Sequence, residues 1–153
     1  MKKPLVGILM GSETDREVMQ ETVKLLERLN IEYEMIVSSA HRQPQKTRKF
    51  VRQAERKGIK VLICGAGMAA HLAGVVAGET ILPVIGVPLS TSSLGGMDSL
   101  LSIVQMPAGV PVATMAIGSS GARNAAILAA EILALQDERI RDALKRYRKE
   151  WTK

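Results

Sequence analysis

The chemistry-bearing residues of this chain are few and grouped. Both of its histidines, His41 and His71, lie in Gly/Ser/Ala-rich stretches. Around the first, Ser38-Ser-Ala-His-Arg42 puts two hydroxyls, an imidazole and a guanidinium into five residues. Arg42 can clamp a phosphate with two parallel N–H donors, and Ser39 can donate to it. An imidazole carries protons near neutral pH, so His41 is a candidate general acid and base. A solvated loop whose histidine caps something locally would use the same residues. A second stretch, Met10-Gly-Ser-Glu-Thr-Asp15, turns through glycine into Ser-x-x-Asp. Such a turn opens a helix and presents N–H groups to an anion. Ser12 as N-cap and Asp15 as its capping-box acid explain it equally well, and the two uses are compatible. An acid beside a phosphate would repel it, so Asp15 suits a ribose hydroxyl better. A third stretch, Gly65-Ala-Gly-Met-Ala-Ala-His71, carries tiny side chains that let a flat ligand approach the backbone. His71 fits a structural role or a ligand-binding one.

Other chemistry is missing. The third stretch lacks the Gly-Lys-Ser/Thr of a phosphate-binding P-loop and the third glycine of a dinucleotide fingerprint. There is no nucleophile-elbow motif for Ser-His-acid hydrolysis. A receiver domain wants an acid where Cys64-Gly65 stands. Two histidines without a carboxylate cluster do not make a protein-built catalytic metal site, so no metal is expected.

Hydropathy patterning supplies the frame for these loops. Strand-like apolar runs fall at Leu5–Met10, Tyr33–Val37, Ile59–Cys64, Pro83–Val87 and Val112–Ile117. Helical patterns alternate with them. An amphipathic one covers Glu13–Leu29. Pro44–Lys57 opens on proline and closes on Gly58. Further helices are expected at Ala69–Gly78, Asp98–Gln105 and Gly121–Leu135, and an amphipathic one ends the chain at 137–151. Alternation with short loops implies a parallel sheet covered on both faces. The expectation is one α/β domain spanning 1–153, with a three-layer, flavodoxin-like (Rossmann-like) fold and a five-stranded parallel sheet. Ligands of such sheets bind beyond the carboxyl ends of the strands. The loops there are Gly11–Asp15, Ser38–Gln43, Gly65–His71, Pro88–Gly96 and Gly118–Gly121, and they include both histidines.

Charge is unevenly spread. The chain of 153 residues has a net charge of +6. Residues 42–60 hold eight basic residues and one acid, whereas residues 61–136 hold only Glu79, Asp98, Arg123 and Glu131. So bare a block must be core, interface or active site. The helix at 125–135 is apolar nearly all round; it reads as a subunit interface, with a fully buried core helix as the other possibility. One cysteine, Cys64, excludes a disulfide framework. Only seven residues, Leu5 to Gly11, precede the return of charge at Glu13, so no signal peptide is expected and the expected compartment is the cytoplasm. The charge-free stretch Ser99–Ala122 carries two prolines and three glycines, so no membrane helix is expected. At 3% aromatic, the chain has few platforms for stacking bases, and a small anionic ligand accounts for its basic stretch as well as nucleic acid does.

Taken in order, Met-Gly-Ser-x-x-Asp at 10–15, Ser-Ala-His-Arg at 39–42, Gly-Ala-Gly-x-Ala-Ala-His-Leu at 65–72, Gly-Val-Pro at 86–88, Ser102-Ile-Val-Gln-Met-Pro-x-Gly109 and Ala116-Ile-Gly-x-x-Gly-Ala-x-Asn124 closely resemble the class I carboxyaminoimidazole ribonucleotide mutases of de novo purine biosynthesis. The resemblance implies an enzyme that moves a carboxylate from the exocyclic nitrogen of N5-carboxyaminoimidazole ribonucleotide to ring carbon 4, by decarboxylation and recarboxylation. It implies no metal or organic cofactor and a homo-octamer. It implies phosphate and ribose contacts at Ser12, Asp15, Ser39 and Arg42, with Ala40 beside them, and proton transfer by His41. Base and carboxylate would meet His71 and the Gly65–Ala70 backbone, including Gly67 and Met68. Thr14, Met68, Ala73 and Ser119 depart from the family's usual Ser, Gly, Pro and Lys. Arg42 after His41 favours the mutase over a related carboxylase that takes free carbon dioxide, where Lys is expected.

Overall fold

The computed structural model describes residues 3–152; Met1, Lys2 and Lys153 of the expected 1–153 domain lie outside the described residues. The chain runs β1 (Val6–Met10), a 3-10 turn (Glu13–Asp15), α1 (Arg16–Arg28), β2 (Tyr33–Val37), α2 (Pro44–Lys57), β3 (Val61–Gly67) and α3 (Leu72–Ala77). It continues with β4 (Val84–Leu89), α4 (Met97–Val104), β5 (Ala113–Thr114), α5 (Ser119–Ala134), α6 (Glu138–Lys149) and a closing 3-10 turn (Glu150–Thr152). All four strand pairings are parallel, in the order β2-β1-β3-β4-β5. This is the flavodoxin-like order, and the chain reverses its direction across the sheet between β1 and β3.

Period-two alternation in the strands sorts side chains between two cores. Val6, Ile8, Met10, Val61, Ile63, Ile85 and Val87 face α1, α5 and α6. Leu9, Leu62, Cys64 and Val84 face α2, α3 and Ile103 of α4. β1 is buried at every residue, as its unbroken apolar run requires. The ends of α2 fall where local chemistry puts them, with Pro44 in the first turn and Gly58 at φ +99° in the cap.

Element bounds shift by one or two residues in several places, and four elements differ in ways that bear on the site or the sheet. The first helix begins with a 3-10 turn before α1 proper. β3 starts two residues late and runs three further, to Gly67, because Ala66 and Gly67 pair with Pro88 and Leu89 of β4. The expected helix at Ala69–Gly78 shrinks to the six residues of α3. β5 has two paired residues, since this edge segment has a strand on one side only.

A larger difference concerns α5. Ala122, Ala125, Ala126, Ala129 and Ala130 have no exposure at all. Their small side chains seat the helix on the sheet and against α1, where the Thr22 hydroxyl donates to the Ala122 carbonyl (2.7 Å). The apolar character of this helix is therefore used inside one chain, and the interface expected there is corrected to core. The exposed apolar helix face belongs to α4, where Met97, Leu101 and Val104 follow one another at spacings of four and three.

Candidate active site

The loops after β1, β2, β3 and β4 enclose a cleft of about 520 Å³ at the carboxyl edge of the sheet. Every residue singled out from the sequence lines it: Ser12, Asp15, Ser39, Ala40, His41, Arg42, Gly67, Met68 and His71. The fifth expected loop, Gly118–Gly121, is absent from the lining.

The first wall is a closed turn. The Ser12 hydroxyl accepts from the Thr14 backbone N–H (3.4 Å) and hydroxyl (3.0 Å), and the Asp15 carboxylate accepts from the Ser12 N–H (3.0 Å). The capping box is thus real, and it leaves the hydroxyls at the cleft. Asp15 is only 4% exposed. Burial raises its pKa above the ordinary carboxylate value, and hydrogen bonds from the Ser12 and Gly11 backbone oppose the rise.

The second wall is pinned from below. Ser38 is fully buried and its hydroxyl pairs with that of Thr47 in α2 (2.8 Å). The Ser39 hydroxyl accepts from the Arg42 N–H (3.2 Å), and the Ser39 carbonyl from the Gln43 N–H (2.8 Å). The Arg42 guanidinium stays exposed and reaches toward the Gly11 carbonyl (3.5 Å), so it spans the gap between the first two loops.

The third wall brings the histidines together across thirty residues of sequence. His41 Nε2 and His71 Nδ1 are 2.7 Å apart, with the rings edge to face at 4.9 Å between centroids. Such a bond needs one donor and one acceptor nitrogen, so at least one ring of the pair is neutral. Gly67 has a reason in this wall: a Cβ there would lie 1.8 Å from Thr91 Oγ1. Cys64, just beneath, is wholly buried, and burial pushes its thiol well above the ordinary range, so it is no nucleophile.

Thr91, from the loop after β4, also lines the cleft and was missed by sequence reasoning, as was Leu72. The signal available was the loop's position at the carboxyl edge; nothing local distinguished Thr91 from Ser90 or Ser92. Among the described residues, no three His, Cys, Asp or Glu side chains converge as metal ligands would, and no helix is long and apolar enough to cross a membrane.

The fold and cleft together define an α/β protein of flavodoxin-like architecture, with a polar, histidine-bearing site at the carboxyl ends of its strands. The chain belongs to the AIR carboxylase family, whose model matches residues 5–153. It is 54% identical over 147 residues to an N5-carboxyaminoimidazole ribonucleotide mutase of Pyrococcus abyssi, covering 96% of this chain and 83% of that protein. It is 57% identical over 136 residues to the mutase of Bacillus subtilis, covering 89% and 84%. The crystal structure of Treponema denticola PurE superimposes with a TM-score of 0.88 at 31% identity, covering 98% of this chain and 92% of that one.

Proposed function

We propose that this protein is an isomerase, an N5-carboxyaminoimidazole ribonucleotide mutase of purine biosynthesis. One observation carries the reading. In a chain 54% identical to a protein of that name, one cleft combines the hydroxyls and guanidinium of Ser12, Ser39 and Arg42 with the small apolar residues Ala66, Ala69 and Ala70 and the His41–His71 pair. A ribonucleotide offers both kinds of surface.

The phosphate sits with Arg42 and the Ser12 and Ser39 hydroxyls, Asp15 accepts from the ribose, and Ala40 and Gly67 bound the sugar and base. The chemistry follows from proton inventory. The carbamate N–C bond breaks, its electron pair stays on the exocyclic nitrogen, and that nitrogen takes a proton from His41. Carbon dioxide is freed beside an electron-rich ring. Ring carbon 4 attacks it, forming the new C–C bond. Carbon 4 then gives up its proton, and the released pair restores the aromatic ring. One imidazole that donates and then accepts serves both steps, and His71 orients it through their shared hydrogen bond. Nothing is oxidised and no proton is consumed.

The whole of 1–153 acts as one domain, α6 included. The partner is the small nucleotide, with no nucleic acid, membrane or cofactor in the reaction. The compartment is the cytoplasm, in keeping with a phosphorylated substrate that does not cross membranes unaided. The assembly is a homo-octamer. An interface is supported by the exposed stripe Met97, Leu101 and Val104, with Leu94 beside it. Sedimentation should show one large species for the wild type and a smaller one for Leu101→Glu.

The test of the reaction is a paired incubation. With N5-carboxyaminoimidazole ribonucleotide alone, the 4-carboxy product should form without added bicarbonate. Product formed only from aminoimidazole ribonucleotide plus bicarbonate would make the protein a carboxylase instead.

A further inference from the structure

Met68 stands out in the β3–α3 loop on three counts. Its φ is +55°, in the left-handed region that glycine occupies without cost. The only other non-glycine there among the described residues is Asn30, a type whose short amide tolerates that conformation. Met68 is also 61% exposed, so core packing does not account for its presence. Finally, it is flanked by Gly65, Ala66, Gly67, Ala69 and Ala70, so it is the one long flexible side chain between the end of β3 and His71.

The loop holds it in place. The Met68 carbonyl accepts from the Ala70 N–H (2.9 Å), and the Ala69 carbonyl from the His71 N–H (2.7 Å). Gly67 is pressed against Thr91 on the other side. A strained, exposed, apolar residue kept on the rim of a cleft by its surroundings points to a role in the cleft. The neighbouring lining on this wall, Ala66, Ala69, Ala70 and Leu72, is apolar too.

We propose that Met68 is a containment residue: its thioether chain folds over the apolar end of the cleft, beside His41 and His71, and keeps freed carbon dioxide next to the ring while excluding water. The inference rests on the mutase reading and extends it. Between the breaking of the N–C bond and the forming of the C–C bond, the one-carbon fragment is a neutral apolar molecule with no charge for Arg42 or a hydroxyl to grip. An apolar cover opposes its escape, and methionine is a side chain well able to adapt its shape to that use. A leak at this point releases aminoimidazole ribonucleotide and carbon dioxide, with atoms and protons balanced against the carbamate and the proton from His41.

The experiment supplies N5-carboxyaminoimidazole ribonucleotide. It measures aminoimidazole ribonucleotide released per 4-carboxy product formed, corrected for spontaneous loss in enzyme-free controls. Met68→Gly removes the cover and suits the backbone, so its melting temperature should equal or exceed that of the wild type. Its leak ratio should rise about tenfold with KM changed less than about twofold, because containment acts after binding. Met68→Leu, apolar and of similar reach, should return the ratio close to the wild-type value. An unchanged ratio in Met68→Gly overturns the proposal, as does a Met68→Leu ratio as high as that of Met68→Gly. If the wild type forms no product from this substrate, the mutase reading itself fails. Normal product with an unchanged leak removes only the role of Met68.

Discussion

Two cavities of almost equal size lie at opposite ends of the sheet. The cleft at the carboxyl ends of the strands measures about 520 Å³, and a second, between the later half of α2 and the turn after α3, about 550 Å³. The second is walled by Arg52, Glu55, Arg56, Glu79, Thr80 and Ile81, among others. Its acid Glu79 is already engaged, since it accepts from Arg52 (3.4 Å) and from Arg48 beside the cavity (3.1 Å). It draws on one helix and one turn. The carboxyl-edge cleft draws on four loops and brings together serine and threonine hydroxyls, an extended guanidinium and paired imidazoles. Volume therefore does not mark the site. Convergence of unlike groups from separate loops does, and parallel topology produces that convergence at one edge only.

Substitutions at the two ends should behave very differently. The largest effect belongs to His41→Asn. Positioned acid–base catalysis is worth ~10²–10⁴-fold, and turnover should fall by that order while calorimetry still finds substrate bound. Activity retained within a few fold would make the two ends alike in chemistry and remove His41 from the mechanism.

Arg42 comes next. A hydrogen bond to a charged group contributes roughly 1.5–3 kcal/mol, so Arg42→Lys should weaken nucleotide binding by about one to two decades. Lysine keeps the charge but loses the two-pronged geometry. Arg42→Ala should lower the maximal rate as well, because phosphate binding also positions the ring. The nucleoside without phosphate should bind the wild type and Arg42→Ala alike. Equal losses for nucleoside and nucleotide would mean that Arg42 merely holds the loop.

Asp15→Asn sharpens the comparison through stability. The folded pKa of Asp15 lies above its unfolded value, so the native state favours the protonated acid. That stability is present below the unfolded pKa and lost as pH rises through the folded one. Asparagine keeps an acceptor oxygen for the Ser12 N–H and carries no charge to bury. Thermal unfolding should show variant and wild type diverging as pH rises from about 3.9, the ordinary Asp value, with the variant the more stable at neutrality. Stabilising changes at functional positions contribute on the order of 0.5–2 kcal/mol, and the recurrent cost is activity. A variant less stable than wild type at neutral pH would contradict this account.

The smallest effect is expected at the other cavity. Arg52→Ala and Arg56→Ala remove exposed side chains, where ion pairs contribute about 0–1 kcal/mol, so turnover and affinity should stay within about twofold of wild type. A tenfold loss of turnover in either would break the contrast between the two ends.

Much of this molecule is legible locally. β2 at Tyr33–Val37 and α2 at Pro44–Lys57 fall where the sequence places them, because proline at a helix start and glycine at a left-handed cap act within a residue or two. The alternation of strands and helices determines a parallel sheet, and a parallel sheet determines which loops can meet. The nine residues singled out from those loops all line one cleft for that reason. Tertiary structure decided the rest. The length of β3 depends on how far β4 runs beside it. The 2.7 Å contact of His41 with His71 exists only because β1 separates β2 from β3, bringing two loops over its end. Thr91 enters the site from a stretch with no local signature, carried there by β4. Composition alone does not separate α5 from α4: both are apolar and nearly uncharged, yet one fills the space against α1 and the other shows Met97, Leu101 and Val104 to the outside. A side chain's hydrophobicity is a property of the residue, but whether it is covered depends on segments a hundred residues away, such as the one that sets Thr22 against Ala122.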